Sequence, residues 1–591
     1  MNTPLPPKPL QTNGWRKQRL WMLGLAACST LIGLFYTEEL WRGKRNWEEA
    51  KRAFEAKGVK MDWASHIPAP VPDDQNVFAV KQMQKWFVGR GEAGWNDLCK
   101  KMPSATYAGL DIDSNTPRML VAEVTIGLPG TAMPAGATVL RLDDPASRAE
   151  AAKLLTNALG PTASEPTSRY GVGLMLRRPE DVQPARIFLQ CQTAPTQQEL
   201  HQFLPDTILN AHSNPPDTNT VLKFEPDGEG SYRVTLPTLV NVADFLAWSD
   251  QLEPQFAVIR QALQRPYARM QANYADPNAV PIPCFISVRH FSQILGARAE
   301  SHYLLGQPEE ALSDLTLMHE SCRPIMEENE PMTLVAAMIN GAVRGLYANT
   351  VSDGLRLHAW HEPQLTALEE QLKAVNIMPP VQETFTMERV FSCHTLENTP
   401  KVPLVQMLMG IDPGSKSNSW RVLESRVLGA LLPRGWLYQN MASGANLTAN
   451  SGTLADSADE IIFSDKVEAF NKKAHGVDHW SPNTFIIAIN TPNWSRAWQT
   501  TANHQTQINQ ARVVCGLERF RLAHGQYPET LDALVPQFVD RIPHDVIGGQ
   551  PPHYRRAADG TFALYSVGWS GKDGGGARGK TTAEGDWVWP D

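Results

Sequence analysis

Several short patterns put reactive side-chain types at distances that chemistry could use. The stretch 574–581, GGGARGKT, matches the glycine-rich phosphate loop letter for letter, with Lys580 and Thr581 placed to meet a nucleotide's phosphates and magnesium. Such a cradle needs a strand ahead of it and a helix opening at the lysine. Ten residues follow Thr581, ending in GDWVWPD, so the match is expected to be coincidence within a glycine-rich loop, and no nucleotide is predicted. His358 and His361 lack the glutamate of a zinc HExxH site and stand just before a helix opened by Pro363, which favours capping over metal ligation. Cys393 and His394 are adjacent on a predicted helix, where neighbours diverge by about 100°, so a buried thiol beside a surface histidine is expected rather than a nucleophile and its base. The run from Gly568 through Trp569 and Ser570 to Gly571 lacks the spacing of a nucleophile elbow. Spacing singles out no carboxylate pair and no Ser/His/Asp set, so no catalytic residue and no organic cofactor is assigned.

What must position any site begins with residues 20–36, LWMLGLAACSTLIGLFY, a charge-free run fenced by Arg16, Lys17 and Arg19 before it and Glu38 and Glu39 after it. As a helix it reaches roughly 25 Å, the short end of what crosses a hydrocarbon core. The expected arrangement is a single-pass transmembrane helix, with residues 1–19 as a cytoplasmic tail and 37–591 on the periplasmic side. Basic residues flank both ends, so the side is assigned from the brevity of the proline-rich tail. Two alternatives stay open. Leu25-Ala26-Ala27-Cys28 resembles a lipobox with Cys28 as the lipidated residue, although the chain stays apolar through Phe35. A cleaved signal peptide fits less well, because no small-x-small site ends the run.

Bulk properties narrow the classes. A composition 42% hydrophobic and 20% charged is that of a folded protein with ample core. A net charge of −8 without a long basic run gives no electrostatic support for nucleic acid. Seven scattered cysteines without a CxxC pair exclude a disulfide scaffold and a zinc ribbon.

Along the chain, 37–74 reads as a stalk helix and linker: Trp47, Ala50 and Phe54 share a face, Glu48 and Arg52 are four apart, and Gly58 stands where a terminating glycine belongs. Residues 75–283 read as a mixed α/β domain. Strands are expected at 119–126, 137–142 and 186–192, a helix opens at Asp144-Pro145, and a hairpin turns at PDGEG (226–230). A helix over 242–264 is interrupted at Pro254. Residues 284–495 read as a helical domain holding one tetratricopeptide-like helix pair with Gly306 in its turn and Ala311, Leu312, Leu315 and Cys322 inward; no second copy follows. Residues 442–458, rich in Gly, Ser and Asn, read as a flexible surface loop.

In 496–591 a long helix leads into Tyr527-Pro528, Leu531, Leu534, Ile542-Pro543 with Asp545, Gly549, Tyr554, a strand at 562–565, Ser566-Val567-Gly568, glycines 574–576 and Asp586. This pattern resembles the C-terminal part of the major pseudopilins of type II secretion systems. The resemblance implies a helix packed on a small antiparallel sheet and a calcium loop, with the Val567 carbonyl, Asp573 and Asp586 as metal ligands. It covers about a sixth of the chain and departs from the family twice: Ser570 replaces a ligand aspartate, and no prepilin peptidase site precedes the apolar helix. A glycine-rich loop held by backbone bonds alone is the competing expectation, since a hard cation wants six or more oxygens.

The expected fold class is therefore α+β: a transmembrane helix, a mixed α/β domain, a helical domain and a pseudopilin-like C-terminal module. The expected role is structural or interaction-based. The alternatives are an extracytoplasmic enzyme with a site in 75–495, or an accessory component of a type II secretion-like system.

Overall fold

A computed structural model describes residues 13–84, 87, 105–106, 109–110, 119–159, 175–204, 222–227, 231–236, 239–280, 282–325, 333–412 and 419–590. The first twelve residues of the expected cytoplasmic tail lie outside these.

Helix α1 (Asn13–Glu55) runs unbroken from the apolar segment into the body. Its two halves meet different surroundings. Residues 17–35 are exposed throughout, and this stretch is long and apolar enough to cross a membrane while the rest of the chain buries none of it. From Glu39 onward one side turns inward: Glu39, Gly43, Trp47, Ala50 and Phe54 recur every three or four residues and are buried. The sequence reading of a stalk was right about continuity, and Gly58 ends the helical turn with φ +79. The segment does not stand free, however. It lies against α13 (Arg434–Leu447), to be placed below, with the glycines of the two helices facing each other. A methyl group at Gly435 would fall on the Glu39 carbonyl oxygen, and one at Gly43 on the Gly435 carbonyl oxygen. Asn46 Nδ2 donates to Gln439 Oε1 at 2.9 Å, and the Arg389 guanidinium covers the Phe54 ring at 4.4 Å.

The mixed region builds a five-stranded sheet from β1 (Leu120–Gly127), β2 (Thr138–Arg141), β4 (Ala185–Gln190), β5 (Lys223–Pro226) and β6 (Ser231–Thr235). A separate parallel pair joins β3 (Met175–Arg177) to β7 (Leu239–Asn241). The order in the larger sheet is β2-β4-β1-β6-β5, parallel on one side and antiparallel on the other. Helix α2 (Pro145–Ala158) opens on Asp144, whose carboxylate accepts the Ala146 and Ser147 N–H groups, and α3 (Gln197–Phe203) opens on a capping box at Thr196. The hairpin at PDGEG pairs Phe224 with Val234, and both join Leu222 and Leu236 in the core beneath the sheet.

Helices follow: α4 (Val242–Ser249) and α5 (Glu253–Leu263), divided near Pro254 as expected, then the hairpin α6 (Phe285–Leu304) and α7 (Pro308–Glu320), with Gly306 at φ +72 in the turn. Next come α8 (Leu334–Arg356), α9 (Glu362–Lys373), α10 (Met378–Asn398), α11 (Lys401–Leu408), α12 (Trp420–Leu431), α13 as above, α14 (Ser464–His475), α15 (Phe485–Asn490) and α16 (Trp494–His524). A three-stranded antiparallel sheet of β8 (His553–Arg556), β9 (Phe562–Ser566) and β10 (Trp587–Trp589) closes the chain.

Helix α16 is the axis of the body. Its residues are buried almost continuously from Thr501 to Glu518. Ile508, Val513, Val514 and Leu517 belong to one apolar core with α6, α7, α8 and α9. Trp494, Trp498 and Ala502 belong to a second, with α1, α10 and α13. Both cores therefore continue through the start of the expected C-terminal module. The stretch 442–458 is not a loop: α13 extends to Leu447, and Ala442, Ala445, Leu454 and Ala455 are buried. Small residues chosen for close packing look, by composition, like those chosen for flexibility.

Because the Gly43–Gly435 contact leaves no room for a side chain, Gly435→Ala should destabilise the protein, although alanine favours an isolated helix by about 1 kcal/mol. The expected loss is about 1–3 kcal/mol, with new tryptic cleavage at Arg45 or Lys51 as α1 lifts off. A raised Tm in Gly435→Ala would contradict this packing.

Candidate functional site

The glycine-rich loop between β9 and β10 contains every residue to which the sequence assigned a ligand role. Asp586 is 3% exposed, and its carboxylate accepts N–H bonds from Gly574 at 3.1 Å and from Gly576 at 2.7 Å. Gly575 and Gly576, at φ +71 and +86, turn the chain so that these amides converge. The result is an anion cradle of backbone N–H groups, filled by the protein's own carboxylate. Asp573 is half-exposed; its Oδ1 accepts the Gly575 N–H at 2.8 Å and the Tyr565 hydroxyl at 3.2 Å. The Gly575 N–H holds the Asp573 carboxyl below its ordinary range, helped by His553, which stacks on Tyr565. Val567 donates its N–H to Asp545 Oδ2 at 2.9 Å.

Asp545 is the buried clamp of this region. Besides Val567, it accepts the Ile547 N–H at 2.9 Å and the Ser566 hydroxyl at 2.8 Å, tying the 545–550 turn to the end of β9. Burial pushes its carboxyl up, against the lowering effect of those bonds. Beside it a small cleft of about 20 Å³ opens between α16 and the sheet, lined by Thr506, Asn509, Gln510 and His544. That is room for about one water molecule.

This donor set does not suit a hard cation as it stands. The two carboxylates already serve N–H donors, and calcium seeks six to eight oxygens. Among the described residues, no group of three or more His, Cys, Asp and Glu side chains is placed to hold a metal. The phosphate-loop letters also lack their setting: Thr581 opens a turn in which its carbonyl accepts the Glu584 N–H, and the chain goes on to β10, not to a helix.

The other sequence candidates separate. His361 caps α9 through a box with Gln364, while His358 reaches across to Glu518 at 2.9 Å. Burial pushes the Cys393 thiol up to about 12, so it stays protonated near neutrality, and His394 lies against Trp63 instead. Ser570 is an exposed turn residue accepting the Lys572 N–H.

Sequence reasoning missed the buried charges of the helical layer. Arg298 on α6 binds Asp314 on α7 at 3.2 Å, and also Ser249 and Asp250 at 2.8 Å. Glu300, two residues on, faces the opposite way, toward Arg177 of β3 and Asp353 and Arg356 of α8. Burial, reinforced by Asp353, pushes its carboxyl up to about 8 despite the two arginines. His319 is pushed down to about 3 by burial and by Arg344, which donates to its Nδ1 at 2.8 Å. Arg512 of α16 joins Glu369 at 2.8 Å and Asp540. The available signal was the run ILGARAES (294–301), where charges interrupt small apolar residues. These pairs lock helices together; they do not converge on an open site.

Two outcomes follow. Asp586→Ala should lower the Tm by leaving two amides without an acceptor, a cost of about 1–3 kcal/mol, whereas a chelator should leave the melting of the parent unchanged. A chelator-sensitive Tm would restore the calcium loop. For Glu300, the folded carboxyl near 8 lies above an unfolded value of about 4.3, so its contribution to stability is complete below that lower value and is lost as pH rises through about 8. His319 acts oppositely: its contribution is present above its unfolded value of about 6.5 and is lost as pH falls below it. Glu300→Gln should therefore match the parent near pH ~4 and exceed it by a few kcal/mol near pH ~8 in denaturant titrations. A variant less stable than the parent at the higher pH would show that Glu300 is ionised and paired. No protein-family model, curated protein or solved structure matches the chain.

Proposed function

We propose that the chain is a single-pass envelope protein with a structural or interaction role, its body held on the extracytoplasmic side by α1. One observation carries the reading: a single helix whose first half exposes an apolar, membrane-length stretch and whose second half is built into the protein core. An exposed apolar surface of that extent needs a covering, and a bilayer matches its length. The buried ionic pairs support a rigid scaffold rather than a reacting centre.

A second reading, an accessory component of a type II secretion-like system, draws on the resemblance of 496–591 and on the packing of α16 against a three-stranded antiparallel sheet. Among the described residues α16 is packed against α8, α9 and α10 over most of its length, so it belongs to the core of the body, which favours a fixed accessory part over a filament subunit.

In cell fractionation the full-length protein should pellet with membranes, resist salt and alkaline extraction and dissolve in detergent, and protease added from outside to spheroplasts, with any outer membrane opened, should degrade the body. Recovery in a high-speed supernatant without detergent would refute the anchor; protection from external protease would refute the side.

A further inference from the structure

The connection from the anchor to the body passes a helix whose polarity is inverted. In α12 the inward residues are Val422, Ser425 and Gly429, whereas Trp420, Leu423, Val427, Leu428 and Leu431 face outward. Trp420 is 74% exposed and Leu431 61%. At about 3.6 residues per turn, the outward residues form one stripe, with Arg421 and Arg426 flanking it on opposite sides. Glu424, half-buried, falls within the same arc, between Leu431 and Leu428.

The helix is firmly placed. Gly429 sits so close to α11 that a methyl group there would lie 2.7 Å from the Val402 Cα, and Lys401 Nζ caps the C-terminal end at the Ala430 and Leu432 carbonyls, 3.1 and 2.9 Å away. That end adjoins the apolar half of α1: the Tyr36 hydroxyl donates to the Leu431 carbonyl oxygen, and Phe35 meets Trp436 edge-on at 6.4 Å. Phe35 and Tyr36 are the last residues of the charge-free run, where the hydrocarbon core should give way to headgroups.

We infer that α12 is an interfacial membrane helix, its Trp420–Leu431 stripe inserted at the boundary of headgroups and acyl chains, with Arg426 reaching lipid phosphates while Arg421 donates to the Met409 carbonyl oxygen at 2.9 Å and ties the helix to the body. An outward apolar stripe between basic flanks, with a tryptophan at one end, is the pattern of helices that lie in the bilayer surface. The lipid occupant is chosen by continuity, since the stripe begins where the anchor leaves the bilayer. The body would then be seated on the membrane by two elements, one crossing it and one lying along it. This inference rests on the membrane-anchor reading.

The test reconstitutes the full-length protein, one copy per nanodisc of phosphatidylethanolamine and phosphatidylglycerol, with a polarity-sensitive fluorophore at chosen cysteines. The native Cys28 reports the anchor; Val427→Cys in a Cys28→Ser background reports the stripe; Asp559→Cys in the same background is the water-exposed reference, and Cys28→Ser alone gives residual labelling. The inference expects the Val427→Cys label to emit blue-shifted from the reference and to lose intensity when lipids spin-labelled high in the acyl chain are added. Quenching at Cys28 with a water-like signal at Val427→Cys leaves the anchor standing and overturns the inference. A blue-shifted Val427→Cys label insensitive to spin-labelled lipid would mean that protein covers the stripe, which also overturns it. No quenching at either position removes the anchor and the inference together.

Discussion

The contact on which the molecule depends is the backbone-to-backbone approach of Gly43 and Gly435. It lets one helix carry both an exposed apolar half and a half built into the core. Through Leu34 the helix is exposed and apolar; from Glu39 to Gly43 it lies so close to α13 that no side chain fits between them. A hinge between anchor and body would need a break in the intrahelical ladder, and none occurs between Asn13 and Glu55. The exposed apolar half of α1 is therefore a continuous extension of the core.

That rigidity reaches the centre of the fold through α10, α13 and α16. Phe385 of α10 stacks on Trp494 of α16 at 4.0 Å, in the same apolar core that takes up Trp47 and Phe54 of α1. From α16 the other core spreads to α6–α9, where buried pairs such as Arg298–Asp314 and Arg512–Glu369 link one helix to the next. Breaking such a pair leaves an uncompensated buried charge, so its contribution is mainly to specify one arrangement. The glycine-rich loop obeys the same economy of polar groups: its converging amides would attract an anion from solution, but Asp586 already fills the cradle.

Much of the local structure was legible in the sequence because local rules govern it. Asp144-Pro145 opened a helix, Gly306 marked the turn between α6 and α7, and alternation around PDGEG placed a hairpin in register. The same rules failed where tertiary contact decides. Composition made a loop of 442–458, yet Ala442 and Ala445 are small because helices crowd them. Helical periodicity over 37–58 reads as a stalk continuing the apolar helix, yet Gly43 is invisible as a packing residue until Gly435 is opposite it. The loop chemistry is not legible for a related reason: sequence shows which carboxylates are near glycines, but not whether their oxygens face a cation or an amide. Glu300 comes under the influence of Arg177 only through the fold, the two being far apart in the chain.

The claim that one uninterrupted helix joins bilayer to core is tested most directly by amide hydrogen exchange on the reconstituted full-length protein, resolved across residues 20–54. Continuous protection through Tyr36, Glu39 and Gly43 is the predicted result. A band of fast exchange there, between protected flanks, would show that anchor and body are separately mobile and would contradict the account.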